Sequence, residues 1–474
     1  MKTTKNKSVY EYDITNTKAS ANSIVFPDSI EEVKNIVNLS KFDIIPRGSG
    51  TSFTGACVPN NSIVVDMSKM NKILSIDPAR KTVHVQAGVI LDDLNQELEK
   101  YNLEIPISTP FSKIRTIGGI IATNSSGSRE LKYGRIRNFV DSLEIVNAKG
   151  ELKELPKTES TDFVGLEGTT GIIMTAKLRL TTKKKRSFSI LKSETLEGVL
   201  ELTKKFKLDH EVCSIELIGK VLSVMSGLEN KYHLFVEYES NKGTMSGQMY
   251  EKFFNLKSNS YYTMASHGFF ILENPKFYID DLSHFIIFLE NNKIPYYSNL
   301  GSGSIYVCFN PREKLKYEQA MSLIKKLRAR HSYELGTGLT KKEFLDENEK
   351  QLITRIKLRH DPENRFNAGK VIDIKIPIIP KKQEKLKPQE NKEPEKREFL
   401  DELKTPEEKL EEFIQEQEKI EQQVQSQENY KQNLEVKKLD NNIVKAIEEN
   451  KKIEKPKPTK EEQDMIKKIA GGYI

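Results

Sequence analysis

Between residues 22 and 186 the apolar positions follow two rhythms, short alternating runs and short helical stripes. SIEEVKNIVNLSKF opens with Ser29 as an N-cap and Glu32 three residues later. It places Val33, Ile36 and Val37 on one face, which predicts a helix. SIVVDMSKMNKI (62–73) and TVHVQAGV (82–89) read as strands, followed by a helix over ILDDLNQELEKYN (90–102) and the short run IPISTP (105–110). SLEIVNAKGEL (142–152) reads as a hairpin edge and GIIMTAKLRLT (171–181) as another strand. Regular βαβ winding is missing, so the pattern predicts an α+β domain.

After the basic connector KKKR (183–186) the pattern restarts. Helices are predicted over TLEGVLELTKKF (195–206), YIDDLSHFIIFLENN (278–292), REKLKYEQAMSLIKKLRARH (312–331) and KKEFLDENEKQLITRIKLRHD (341–361). Strands are predicted over SIELIGK (214–220), YHLFVEYES (232–240), IPYYSN (294–299) and SIYVCFN (304–310), giving a second α+β domain that covers the first. From Pro377 the composition shifts to Pro, Glu, Lys and Gln, with no Gly before Gly471. Within this tail, Thr405 as N-cap, Pro406 at the first helical position and Glu408 mark a helix. Leu410, Phe413, Ile420 and Val424 fall on its a/d positions, which suits either transient helix in a disordered tail or a partner-docking helix. The expected organisation is thus residues 1–186, 187–376 and 377–474.

Charge changes this picture little. The tail from Lys381 carries 21 Lys+Arg and 23 Asp+Glu, a net of −2, so the first 380 residues hold +9 of the total +7. A diffuse positive body suits anionic ligands, and without a basic stripe interleaved with aromatics no nucleic acid partner is expected. No apolar run reaches about 18 residues, so no membrane span is expected. MKTTKNKSVYEYD has no apolar core and does not read as a secretory signal. Cys57, Cys213 and Cys308 are widely spaced, consistent with a cytoplasmic location and unsuited to an iron–sulfur or zinc motif.

The candidate chemistry lies in three glycine clusters of the first domain: IIPRGSGTSFTG (44–55), TIGGIIATNSSGSRELKYG (116–134) and VGLEGTTGIIMTAKLRL (164–180). Glycine lets backbone approach a ligand, and consecutive N–H groups in such a turn form an anion nest. Three clusters in one domain suit one long ligand with a central pyrophosphate, a dinucleotide. Gly48, Gly50 and Gly55 do not have Rossmann spacing, because Phe53 takes the third place, and no Walker Lys follows.

IPRGSGTSFTG, VHVQAGVILDDLNQEL, TIGGIIATNSSGSRELKYGRIRNFVDSLEIV, GLEGTTGIIMTAKLRL and HDPENRFNAGKV together resemble the FAD-linked oxidases of the vanillyl-alcohol-oxidase (PCMH-type) family. Within it they are most similar to the glycolate oxidase catalytic subunit and the D-lactate and D-2-hydroxyglutarate dehydrogenases, over residues 22–372. The resemblance implies a PCMH-type FAD-binding domain, an α+β substrate or cap domain and a charged, partly helical tail. It places Pro46, Arg47, Gly48, Ser49, Gly50, Thr51 and Ser52 around the FAD pyrophosphate. Thr116, Gly118, Gly119, Ala122, Asn124, Ser126 and Gly127 would line the second side of the dinucleotide. Glu167, Gly168, Thr169, Gly171 and Ile172 would close over its ribityl and adenine parts, and Asn367 would reach the isoalloxazine edge. The first loop has no His for covalent attachment, so noncovalent FAD is expected.

The resemblance also implies a metal held by H-x-G-D-G-N-x-H and by the glutamate of E-H-G-x-G, whose histidine serves as base. Here NLGSGSIY (299–306) puts Asn299 and Tyr306 at the histidine positions, while ELGTG (334–338) keeps Glu334 and replaces the base by Leu335. Such a set suits no zinc or manganese, so no metal is expected. Glu334 stays a catalytic candidate, with Tyr306 or His331 as replacement base. The segment NAKGELKELPKTESTDFVGLEG is shorter than the resemblance would have it. Two functions follow from these readings. One is an FAD-dependent oxidoreductase acting on a 2-hydroxy acid, with an iron–sulfur protein or quinone as electron acceptor. The other is a flavin-binding, noncatalytic or electron-transfer subunit.

Overall fold

The computed structural model describes residues 2–374 apart from Ile14, Asn16, Lys18, Pro110, Ser332 and Tyr333. The tail and its expected helix over 405–424 lie outside the described residues. The first sheet is mixed, with strands in the order Lys2–Thr3, Ala21–Phe26, Ser62–Asp66 and Ile44–Arg47. The last three run parallel to one another. Helix Ile30–Leu39 covers this sheet and buries Val33, Ile36 and Val37, the predicted face. The Ser29 hydroxyl accepts from the Glu32 N–H, and Glu32 accepts in return from the Asp28 N–H.

A second, antiparallel sheet runs Ile73–Asp77, Thr82–Gln86, Ile172–Arg179, Val140–Val146 and Leu152–Pro156, with the expected hairpin at its edge. Helices Leu91–Glu99 and Ile117–Ala122 bury Leu91, Leu94, Leu98, Ile117, Ile120 and Ile121 against it. Between the two sheets lie the glycine-rich segments.

Residues 187–331 build an eight-stranded antiparallel sheet around Ser187–Ser193, Tyr232–Tyr238, Val212–Ile218, Tyr296–Asn299 and Ser304–Phe309. Helices Leu196–Lys207, Ile279–Asn291 and Lys314–Lys326 cover one face through Val199, Leu282, Phe285, Leu289 and Ile324. The third helix is shorter than its apolar pattern, because Arg328 turns left-handed (φ +50°) and Arg330–His331 joins the sheet edge against Pro275 and Lys276. The opposite face carries helices absent from the sequence reading, Gln248–Ser258 and Ser260–Ser266.

Helix Glu347–His360 leaves this sheet and returns to the first half of the chain. Its N-cap Asp346 and Glu349 form a reciprocal capping box. Phe366 then bridges in parallel to Ile44, with the Ile44 N–H donating to Arg365 and the Asn367 N–H to Ile44. The anchor is Lys357, a buried ammonium that donates to Asp361 at 2.5 Å, to the Phe366 carbonyl at 2.7 Å and to the Thr169 carbonyl at 2.8 Å. Among the described residues no helix is long and apolar enough to cross a membrane. Replacing Lys357 by Met removes the cation paired with the buried Asp361 carboxylate, which keeps only the N–H groups of Arg365 and Phe366, so urea unfolding of Lys357→Met should show a loss of about 3 kcal/mol.

Candidate active site

Strand Ile44–Arg47 delivers the first glycine loop into a cleft between the two small sheets, which encloses about 1050 Å³ with the open space at its mouth included. Every predicted residue from Pro46 to Ser52 lines it, as do Thr116, Gly118, Gly119, Ala122, Glu167, Gly168, Gly171, Ile172, Glu334 and Asn367. Among the described residues, the backbone N–H groups from Ser49 to Phe53 donate to no protein acceptor. A run of orphan donors in a ligand-sized cleft fits an anion such as a pyrophosphate.

The loop is held from behind. The Ser52 hydroxyl accepts from the N–H groups of Thr54 and Ala56, and Asp13 accepts from the Gly55 N–H at 2.8 Å. Arg47 stacks its guanidinium 4.3 Å over the Tyr10 ring, and Tyr10 in turn hydrogen-bonds Asp66. Gly48 abuts the second cluster, since a Cβ there would lie 2.2 Å from Thr116 Oγ1, the N-cap oxygen that accepts from the Gly119 N–H. The cradle, its free N–H groups and the absence of side-chain bulk fit FAD.

Four residues predicted to hold the cofactor lie outside the cleft lining and have structural partners instead. Asn124 accepts from the Arg137 N–H, Ser126 donates to Glu130, and Thr169 donates to the Leu166 carbonyl. Gly127 runs so close to Ser108 that a Cβ would meet its carbonyl oxygen at 2.1 Å. Sequence reasoning missed Phe53, Ala56, Cys57, Phe111, Arg115, Thr123 and Leu335, which do line the cleft. Of these, Phe53, Thr123 and Leu335 sit inside the sequence motifs, whereas Arg115 precedes one and carries no spacing signal.

Glu334 stands at the junction. Its buried carboxyl accepts from the Gly127 N–H at 2.9 Å and bonds the Tyr306 hydroxyl, and burial pushes its pKa up. Tyr306 is itself buried and does not line the cleft. Burial, reinforced by Glu334, lifts its pKa well above the ordinary phenol value, and its hydroxyl is engaged with Glu334 away from the cleft, a poor placement for the replacement base expected from the sequence. The backbone of His331 pairs with Pro275, and its side chain lies outside the described residues. Asn299 donates to the carbonyls of Gly127 and Ser128 and accepts from the Ser302 N–H, so its amide is committed to joining loops. Among the described residues no three His, Cys, Asp or Glu side chains converge as a metal site.

Glu167 mirrors Glu334. Its carboxyl accepts from the N–H groups of Thr337 and Gly338, and its carbonyl accepts from the Asn367 amide at 2.7 Å. Burial pushes its pKa up to about 7 against the pull of those two N–H groups. Phe111, Glu167 and Asn367 all adopt left-handed backbone, with φ of +64°, +50° and +46°. Such strain in non-glycine residues tends to gather at ligand sites.

Two outcomes follow. Gly48→Ala should keep the circular dichroism of the parent while binding FAD at least about tenfold more weakly, a loss of ~1.4 kcal/mol read by flavin retention on dialysis. The raised Glu167 pKa favours folding fully below about pH 4.5, and this contribution disappears as pH rises through about 7. Urea unfolding should therefore lose up to about 3 kcal/mol from this group between pH 4.5 and 8. Glu167→Gln, which keeps an acceptor oxygen, should flatten that part of the slope.

The FAD binding domain family matches residues 21–156. A D-lactate dehydrogenase of Anaerostipes hadrus is 34% identical over 207 residues, 41% of this chain and 43% of that protein. The glycolate oxidase subunit GlcD of Bacillus subtilis (strain 168) is 36% identical over 197 residues, 39% of this chain and 42% of that protein. A D-2-hydroxyglutarate dehydrogenase of Stutzerimonas stutzeri (strain A1501) is 36% identical over 187 residues, 36% and 40% of the two chains. The matched stretches span less than half the length of these relatives. A solved structure of alkyldihydroxyacetonephosphate synthase shares the fold, with TM-score 0.61 and 18% identity over 76% of this chain and 79% of that one. Residues 21–156 form an FAD-binding domain, and the chain is similar over part of its length to FAD-dependent oxidoreductases that act on hydroxy acids.

Proposed function

We propose that this protein is an FAD-dependent oxidoreductase that converts the CH–OH group of a small 2-hydroxy acid into the corresponding 2-oxo acid. The observation that carries this reading is Glu334, a buried carboxyl with a raised pKa facing the FAD cleft. Bound FAD supplies the acceptor for the C2 hydride. Glu334 in its ionised form takes the hydroxyl proton, so hydride and proton leave to different groups and the 2-oxo acid remains. A carboxylate raised toward neutrality is the stronger base. Gly127 and Tyr306 hold its oxygens in place, and Phe53 with Phe111 forms an apolar wall that keeps water away. The names of the relatives support the substrate class, since D-lactate, glycolate and D-2-hydroxyglutarate are all 2-hydroxy acids. Turnover requires an electron acceptor, which we take to be an iron–sulfur protein or a quinone, because the three cysteines cannot ligate a cluster.

A second reading, a flavin-binding subunit without chemistry of its own, draws support from Asn299. At a position where the resemblance implies a metal ligand, its amide is spent on loop carbonyls. Anaerobic visible spectra separate the two readings. Bleaching of the flavin band by D-lactate, glycolate or D-2-hydroxyglutarate supports the enzyme, and a band that none of them bleaches supports the carrier. In the first case Glu334→Gln should retain flavin and lower kcat by about 10²–10⁴-fold.

A further inference from the structure

The cleft contains a cation that the FAD loops do not account for. Arg115 lines it beside Phe111, Thr116, Thr123 and Glu334. Its Nη2 donates to the hydroxyls of Thr123 at 2.9 Å and Ser125 at 2.7 Å. These hydroxyls bond each other at 2.7 Å, and Thr123 donates on to the Gly119 carbonyl. The guanidinium is thus fixed by neutral groups. Among the described residues no carboxylate lies within ion-pair distance, and the rest of the fork has no acceptor. Other deep arginines differ: Arg129 reaches Glu237 at 2.8 Å, Arg186 reaches Glu104 at 2.6 Å and Arg135 reaches Glu130 at 3.2 Å.

We propose that Arg115 is the substrate-carboxylate residue: its open fork takes the carboxylate of a small 2-hydroxy acid while the adjacent hydroxyl faces Glu334. This rests on the reading of the protein as a 2-hydroxy-acid oxidoreductase. A planar fork suits a carboxylate bidentately, and its preset orientation lowers the ordering cost of binding. Burial lowers the Arg115 pKa to about 10, which leaves it charged at neutral pH. Glu334 is the carboxylate whose field it feels, so a bound substrate would span a fixed cation and a proton acceptor. Phe111 stacks on Phe53 at 5.7 Å, and Tyr261 and Tyr262 of helix Ser260–Ser266 back the pair edge-on. This aromatic wall shields the ion pair from water and strengthens it.

The test uses oxalate, a planar dicarboxylate with no hydrogen to transfer, titrated into the FAD-bound protein while the flavin absorbance is followed. The parent should show a saturable perturbation that uncharged glycolamide does not produce. Arg115→Met should bind oxalate about 10–150-fold more weakly with its FAD retained. Arg115→Lys, which keeps the charge and loses the fork, should weaken oxalate at least about tenfold, and it decides the matter should the Met variant not fold. Unchanged oxalate affinity in the variants overturns the proposal, as does a parent that binds no oxalate. Loss of FAD from Arg115→Met under dialysis that the parent survives also overturns it, because the guanidinium then serves the cofactor. A parent that binds oxalate through Arg115 yet is bleached by none of the hydroxy acids leaves the carboxylate site standing and removes only the oxidoreductase reading.

Discussion

Two carboxyl groups change sides across the cleft, and its geometry depends on that exchange. Glu334, from the segment after the large sheet, accepts from the Gly127 N–H of the second glycine cluster. Glu167, from the third cluster, accepts from the N–H groups of Thr337 and Gly338 in the segment Glu334 begins. Each group is buried, and burial alone would be costly without those donors. Each loop in turn carries backbone N–H groups that no ladder satisfies, so carboxyl and loop complete one another. The fit leaves no room for side chains: a Cβ at Gly336 would meet Glu167 Oε2 at 2.8 Å, and one at Gly338 would meet the Thr54 carbonyl oxygen at 2.2 Å. The same Thr54 carbonyl accepts from the Leu339 N–H, which ties the first glycine loop to the segment that carries Glu334.

Charge pairs hold the large sheet to this assembly. Arg129 grips Glu237 through two nitrogens at 2.8 and 3.0 Å, Arg186 grips Glu104 likewise, and Lys276 reaches Glu130 at 2.9 Å. Bidentate geometry fixes orientation as well as distance, which a greasy contact would not. Around this frame the inner face of the sheet is unusually polar, with Glu216, Asn299, Ser304 and Tyr306 buried. Asn299 and Tyr306 serve as stitches to Gly127 and Glu334, while Glu334 and Arg115 both line the cleft.

Local signals survived into the structure where one segment contains both halves of an interaction. Ser29 with Glu32 and the hairpin after Val140 are of that kind. The glycines of the first loop were legible for the same reason, since close backbone approach leaves a mark in composition. Long-range pairing was not legible. The apolar pattern over 312–331 continues past Leu327, yet Arg330 and His331 pair with Pro275 and Lys276, some 55 residues away. Helix Ser260–Ser266, with Tyr261 and Tyr262 against Phe53 and Phe111, lies in a stretch without a clear apolar period.

The amino-acid order by itself determined the class of cofactor and the type of fold. Orphan N–H groups need glycines beside them, and capped amphipathic runs need their own neighbours and little else. It did not determine which side chains share the reaction space. Arg115 is an ordinary basic residue in the run SKIRT until the fold brings Thr123, Ser125 and Glu334 around it. Tyr306 stands where the resemblance implies a metal ligand, and only packing shows it buried as a donor to a carboxyl. Proton affinity and ion pairing depend on burial and on partners far away in the chain, and those exist only in the folded molecule.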